Sequence, residues 1–202
     1  MRVLALDTAS PFPALALVEV SDTGRESERL RPLPRAAAEA IAPELAELLR
    51  GNGLSPASLN GVAVLSGPGS FTGLRAGLAF ARGLARALEV PLKPVGTFRA
   101  ASNAFPEPAE ADFLLDAGRG DVHRARRRGG VLTEDPAPLP AALARQTCRE
   151  EGVAVIDLDA ARGSLAAAAG RLALLPEAGV HPVDPAYGRK SAAEEKLDGS
   201  RP

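Results

Sequence analysis

The sequence predicts an α/β protein made of two related lobes, the second shortened. Apolar "GVAVLS" (61–66), a helical run from Thr72 to Glu89 and the returning "VPLKPV" (90–95) form a strand–helix–strand crossover unit. Midway, "FLLDAGRGDVHRARR" repeats the order in which the chain opens: apolar strand, aspartate, short turn, second strand. Asp116 then matches Asp7. A boundary near 100–112 separates a first lobe, 1–102, from a second, 103–202, that has room for fewer elements.

"VLAL" (3–6) ends at Asp7, and "ALALVEV" (14–20) follows a turn, which predicts two paired strands. From Ala36 to Arg50, Ala40, Ile41, Glu44, Leu45, Leu48 and Leu49 recur at helical spacing, and "GNG" (51–53) ends the helix. The apolar strand 61–66 suits a parallel sheet covered on both faces. In the helix after it, Leu74, Leu78, Ala81, Ala85 and Leu88 make one stripe. "TFRAASNAF" begins another helix. Beyond the repeat come a helix at about 140–151, the strand "VAVIDL" (153–158) and an alanine-rich helix from Ser164, a natural N-cap, to Leu175. The polar tail from Glu194 reads as disordered.

With 202 residues, 46% of them hydrophobic, there is ample material for a core. A net charge of −1 gives no global preference for nucleic acid or acidic membranes. A single cysteine, Cys148, excludes an internal disulfide framework, and no apolar run approaches the length of a membrane span, so a cytoplasmic protein is expected. Cys148 reads as a structural thiol beside Arg149. His123 and His181 are the only histidines and are far apart, so a zinc or iron site made by this chain alone is not expected.

The glycines of "SGPGSFTGLRAGLAFARGLA" fail both phosphate-loop templates. Leu74 stands where a Walker lysine belongs, and Gly67, Gly69 and Gly73 give G-x-G-x-x-x-G instead of G-x-G-x-x-G. Ser70 or Thr72 can cap the helix, whose free N–H groups suit an anion, or the turn can be capping and nothing more. Gly73, Gly77 and Ala81, and Ala79, Gly83 and Ala87, lie four apart. Interior helical glycine costs about 1 kcal/mol relative to alanine, so close approach of another backbone is expected, from the sheet or from a second subunit. Asp7 with Thr8 and Ser10 is similar to the carboxylate and hydroxyl pair that holds a metal-bound phosphate in nucleotide-binding folds; the same residues also suit a self-contained turn. The run Arg119, Arg124, Arg126, Arg127 and Arg128 reads as an RNA contact or as the solvated side of a hairpin.

"GPGSFTGLRAGLAFARGLARALEVPLKPVGTF", together with "LALDTAS", "LLDAGRGDVHRA" and "DPAYGRKSA", closely resembles the TsaB (YeaZ) family, over nearly the whole chain. The resemblance implies an actin-like ATPase (ASKHA) fold of two lobes. It also implies a non-catalytic partner of the catalytic subunit TsaD, working with the ATPase TsaE in threonylcarbamoyl transfer to the adenosine beside the anticodon of ANN-decoding tRNAs. Thr97 and Ala101 stand where TsaD carries its H-x-x-x-H metal pair, so neither catalysis nor the older glycoprotease label is expected of this chain. The family pairs through the helices at about 36–50 and 72–88, which makes Leu45, Leu48, Phe71, Leu74, Leu78 and Ala81 the expected contacts. Asp7, Thr8, Ser10, Ser70 and Asp116 are the expected nucleotide residues, with ATP and magnesium possible ligands but no cofactor required. Gly118, where relatives often carry arginine, and His123, where an aromatic is usual, weaken that site. Homodimerisation of the isolated chain and indirect contact with tRNA through the complex stay open.

Overall fold

A computed structural model of the chain describes residues 1–34, 38–135, 137–161 and 165–175. The expected N-cap Ser164, His181, "DPAYGRKSA" and the polar tail lie outside the described residues. Strands β1 (Arg2–Asp7), β2 (Ala14–Val20) and β3 (Glu26–Pro32) make an antiparallel meander. β4 (Gly61–Gly67) and β5 (Leu92–Gly96) add in parallel on the other side of β1, giving the order β3-β2-β1-β4-β5.

A second sheet holds β6 (Ala111–Gly118), β7 (Asp121–Arg128), β8 (Val131–Glu134) and β10 (Ala154–Asp157) in the order β10-β6-β7-β8, with two-residue β9 (Leu139–Pro140) beside β7. Taken from β8, this order reproduces β3-β2-β1-β4 with its antiparallel hairpin and its parallel step. The opening strand pattern therefore recurs in space, with no counterpart of β5 beside β10 among the described residues.

Strand alternation divides the first sheet into two apolar faces. Leu4, Leu6, Leu15, Leu17, Val62 and Val64 point toward α1 (Ile41–Arg50) and α2 (Phe71–Leu88), meeting Ile41, Leu45, Leu48, Leu49, Leu78 and Ala81. The opposite face, with Val3, Ala5, Ala16, Val18, Ala63 and Leu65, packs on α3 (Thr97–Ala104) and α5 (Leu165–Leu174) and shares one core with Phe113, Leu115 and Ala125 of the second sheet.

The placement of α5 differs from the division at residue 102. This helix was counted with the second lobe, yet it lies across β1, β2 and β4 of the first sheet. The reason is steric: α5 is alanine-rich, and the sheet residues beneath it are small. At Gly170 an added Cβ would come within 2.4 Å of Val18 Cγ2. Lys93 on β5 fastens the far end, its Nζ donating to the Ala173 carbonyl at 2.6 Å.

The arginine run also differs from its surface reading. Arg126 makes a two-pronged pair with buried Asp112, at 2.6 and 2.7 Å, and reaches Glu151. Arg124 pairs with Asp135 at 2.6 Å. Arg127 is buried and donates to the carbonyls of Ser102, Phe105, Pro106, Pro108 and Ala109, while its guanidinium sits 5.1 Å from the Phe113 ring centre. Buried charge is tolerated only when paired and hydrogen-bonded, and these three arginines meet that condition within the chain. Only Arg128 of this β7 group is largely exposed. Arg124, Arg126 and Arg127 are thus committed within the chain, which leaves Arg119 and Arg128 as the solvent-facing members of the run.

Cys148 donates to Asp112 Oδ2 at 3.0 Å inside the same cluster. It is fully buried, and burial together with the neighbouring carboxylate pushes the thiol up to about 11. Such a thiol is structural.

Candidate functional site

Two regions bring expected site residues together. The first is a cleft of about 330 Å³ at the carboxyl ends of β1, β4 and β6, where open α/β sheets place ligands. Thr8, Ser10 and Ser70 line it from the first sheet and Asp116 from the second, so four of the five residues expected at a nucleotide site converge. Asp159, just after β10, lines it too and is missing from the expected set. Its signal was present in "DLDA", an acidic cluster at a strand end of the kind that singled out Asp7 and Asp116. Asp159 Oδ2 accepts the Asp116 N–H at 2.7 Å and so holds the end of β6.

Asp7 does not face this cleft as a free ligand. It is fully buried, accepts the N–H groups of Ala9 (3.1 Å) and Ser10 (2.9 Å), and receives the Ser10 hydroxyl at 2.5 Å. Of the two sequence readings of Asp7, these contacts match the self-contained turn. Burial raises its pKa to about 6, against the lowering effect of its hydrogen bonds. Ser70 caps α2, its Oγ accepting the Gly73 N–H at 3.3 Å. The cleft lining otherwise consists of alanine, proline, glycine and leucine with the carboxylates of Asp116 and Asp159. A phosphate there would rely on the α2 N-terminus and on a cation brought with it.

The glycines at the start of α2 serve the same turn. An added Cβ at Gly73 would lie 1.9 Å from the Thr8 carbonyl oxygen, and one at Gly77 would lie 2.2 Å from Thr8 Oγ1. Thr8 Oγ1 also donates to the Gly73 carbonyl at 2.7 Å. The neighbour that needs close approach is therefore the chain's own β1–β2 turn.

The second region is the outer layer formed by α1 and α2. Here most of the expected contact residues face inward in the chain by itself. Leu74 and Ala81 are 0% exposed, Leu78 2%, and Leu45 and Leu48 6%, whereas Phe71 is 40% exposed. The apolar stripe packs on the chain's own sheet, because a helix on a sheet buries its most apolar side there first. The complementary stripe faces outward: Phe71, Arg75, Ala79, Arg82, Gly83 and Arg86 on α2, and Ala42, Pro43, Ala46 and Glu47 on α1. Arg75 lies 5.4 Å from the Phe71 ring centre. Gly83 has open space around its α-carbon, so its lack of a side chain answers to nothing within 4 Å in this chain. The signal for this face was the remainder of the helical wheel once the leucine stripe had been assigned inward.

Thr97 begins α3 and Ala101 lies one turn further along it, both fully buried, and Thr97 Oγ1 has no hydrogen-bond partner among the described residues. No described helix is long and apolar enough to cross a membrane.

A family model described as "TsaD: tRNA N6-adenosine threonylcarbamoyltransferase" matches residues 33–144. An uncharacterized protein of Mycobacterium tuberculosis is 37% identical over 142 residues, 69% of this chain and 65% of that protein. The "tRNA threonylcarbamoyladenosine biosynthesis protein TsaB" of Escherichia coli is 34% identical over 128 residues, 62% of this chain and 54% of that protein. The matched segment thus spans less than two thirds of these relatives' own length. Among solved structures, one titled "an uncharacterized protein with similarity to peptidase YEAZ from Pseudomonas aeruginosa" aligns over 93% of this chain and 99% of its own, with a TM-score of 0.68 and 25% identity. From the family match, the curated relatives and this structural likeness together, the chain belongs to the TsaB (YeaZ) family.

Proposed function

We propose that this chain is a non-catalytic subunit that docks a TsaD-type catalytic subunit through the outward faces of α1 and α2, and so supports threonylcarbamoyl transfer to the adenosine beside the anticodon of ANN-decoding tRNAs. A TsaE-type ATPase works with the pair in the cytoplasm, and tRNA is met through the complex. The two sheets are the lobes of an actin-like fold, the second shortened. The observation that carries the reading is the outward face of α2, where exposed Phe71, the arginines 75, 82 and 86 and uncrowded Gly83 lie together on one side of a long, well-anchored helix. A glycine kept against helix propensity with empty space beside it suits a partner backbone that comes close. Thr97 and Ala101 offer no imidazole where the catalytic relative carries its metal pair, which supports an accessory role.

The test mixes the chain with a TsaD-type subunit and measures the mass of the complex. Gly83→Leu and Arg86→Glu, both on solvent-facing positions, abolish the complex without destabilising the chain: the Arg86→Glu midpoint stays within about 2 °C of the wild type and that of Gly83→Leu rises by about 2–4 °C. An unchanged complex in both variants removes the docking face from the reading. Transfer by the purified chain with no added TsaD overturns the accessory role.

A second reading, a nucleotide-binding or hydrolysing enzyme, draws on the convergence of Thr8, Ser10, Ser70 and Asp116 in one cleft. Calorimetric titration with ATP and magnesium on wild type and Asp116→Ala decides it. Heat that disappears in the variant supports the nucleotide site, and no heat in the wild type dismisses it.

A further inference from the structure

A groove of about 460 Å³ lies between α3, β8 and α5, on the side of the first sheet away from α1 and α2 and apart from the strand-end cleft. It is lined by Arg99 and Asn103, one turn apart on α3, by Leu132 and Glu134, which share a face of β8, and by Leu172 of α5, which with Leu132 supplies its apolar lining. The Arg99 side chain makes no hydrogen bond or ion pair among the described residues, and neither does that of Glu134, although the two line the same groove. Every other arginine side chain that packs between these elements is engaged: Arg127 on the 102–109 carbonyls, Arg171 on Asn103 and Glu28. Asn103 spends its Oδ1 on Arg171, which leaves its amide N–H groups as donors at the Arg99 end.

One end of the groove thus offers an unmatched guanidinium with amide donors, the other an unmatched carboxylate, and the middle is aliphatic. We propose that this groove binds a small zwitterion of amino-acid to dipeptide size, its carboxylate on Arg99 and Asn103, its ammonium group on Glu134, and its side chain over Leu132 and Leu172. The volume is within the range of small-ligand sites, and a guanidinium fork suits a carboxylate in two-pronged fashion. The orientation follows from charge alone, since the reversed pose would set like charges together at both ends. The groove needs no contribution from the docking face, so it is tested on the chain by itself.

The experiment is calorimetric titration of the full chain with glycyl-L-leucine and with L-leucine, against N-acetyl-L-leucine, which lacks the ammonium group, and L-leucinamide, which lacks the carboxylate. At least one zwitterion binds, and each one-charged analogue binds at least tenfold more weakly, as loss of a charge-assisted contact requires. Arg99→Gln and Glu134→Gln each weaken the zwitterion at least tenfold with an unchanged thermal midpoint. Backbone and side-chain amide NMR of the wild type provides a readout independent of the variants: Asn103 and Leu132 signals move with the zwitterion. The proposal is overturned if neither zwitterion binds, if the one-charged analogues bind as well, or if the shifted signals lie elsewhere, for example at the strand-end cleft.

Discussion

Replacing Gly73 by alanine sets two well-known effects against each other. In an open helix the change stabilises by about 1 kcal/mol, because glycine has the larger backbone entropy to lose. Here the new methyl carbon would lie 1.9 Å from the Thr8 carbonyl oxygen, 2.8 Å from its carbonyl carbon and 3.2 Å from the Ala9 α-carbon. Ordinary contact would need the turn and helix to separate by roughly 1.5 Å. Neither side yields readily. The turn is pinned by Asp7 on the Ala9 and Ser10 amides and by the Ser70 N–H on the Ala9 carbonyl, while α2 is held by Leu74, Leu78 and Ala81. Overpacking against backbone belongs at the upper end of the usual ~1–3 kcal/mol. The net loss is therefore about 2 kcal/mol, or roughly 4–8 °C in thermal midpoint for a chain of this size. Urea unfolding measures it, with Gly83→Ala as the control: nothing lies within 4 Å of that position, so this variant gains about 0.8–1 kcal/mol. Two glycines ten residues apart on one helix should thus respond with opposite sign. A Gly73→Ala protein as stable as the wild type would refute the close-approach account.

Arg127→Met should lower unfolding free energy by about 3 kcal/mol or more in urea, because five backbone carbonyls lose their shared donor; a loss below about 1 kcal/mol contradicts the role assigned to this arginine. Asp7 introduces a pH dependence of unusual sign. Its folded pKa of about 6 lies above the ordinary 3.8, so the native state holds the extra proton, and Asp7 adds stability as pH falls from about 6 toward 3.8, up to roughly 3 kcal/mol. Comparing urea midpoints of wild type and Asp7→Asn between pH 7 and 4 reads this out, and parallel curves disprove it. Asp112 acts oppositely: its arginine partners hold its pKa below the usual value, so its contribution is lost only at lower pH. Cys148 should react with a thiol reagent no faster than the chain unfolds, and rapid labelling under native conditions contradicts its buried, proton-retaining state.

The expected elements that hold in the structure are those whose period is set by burial on a simple surface. The stripe Leu74, Leu78, Ala81, Ala85 marked α2 and the continuous run 61–66 marked β4, because each faces the core along its whole length. β3 (Glu26–Pro32) was not anticipated. Its "ESERLRP" is mostly exposed, since an edge strand needs only backbone pairing with β2, and charge protects such an edge from further pairing. The convergence of Thr8, Ser10, Ser70 and Asp116 was legible because each stands at or just beyond the carboxyl end of an apolar strand, and in both sheets those ends border one cleft. Whether a leucine faces a partner or its own sheet was not legible: Leu74 and Leu78 read equally well as either until the sheet beneath them is placed. The same holds for Arg127, whose partners are carbonyls 18–25 residues away that carry no side-chain signature.

The return of α5 to the first sheet has a consequence for how the chain is made. Residues 1–102 contain every strand of that sheet and most of α3, yet the cover over the face bearing Val3, Ala5, Ala16, Val18 and Leu65 is completed only when α5, which begins at residue 165, lies across it. As the chain leaves the ribosome, its first sheet stays half covered until more than sixty further residues have emerged. The amino-terminal half is on this account a guest of the carboxyl-terminal one during synthesis, and a fragment ending near residue 102 should be aggregation-prone even though it holds the whole of the proposed docking surface.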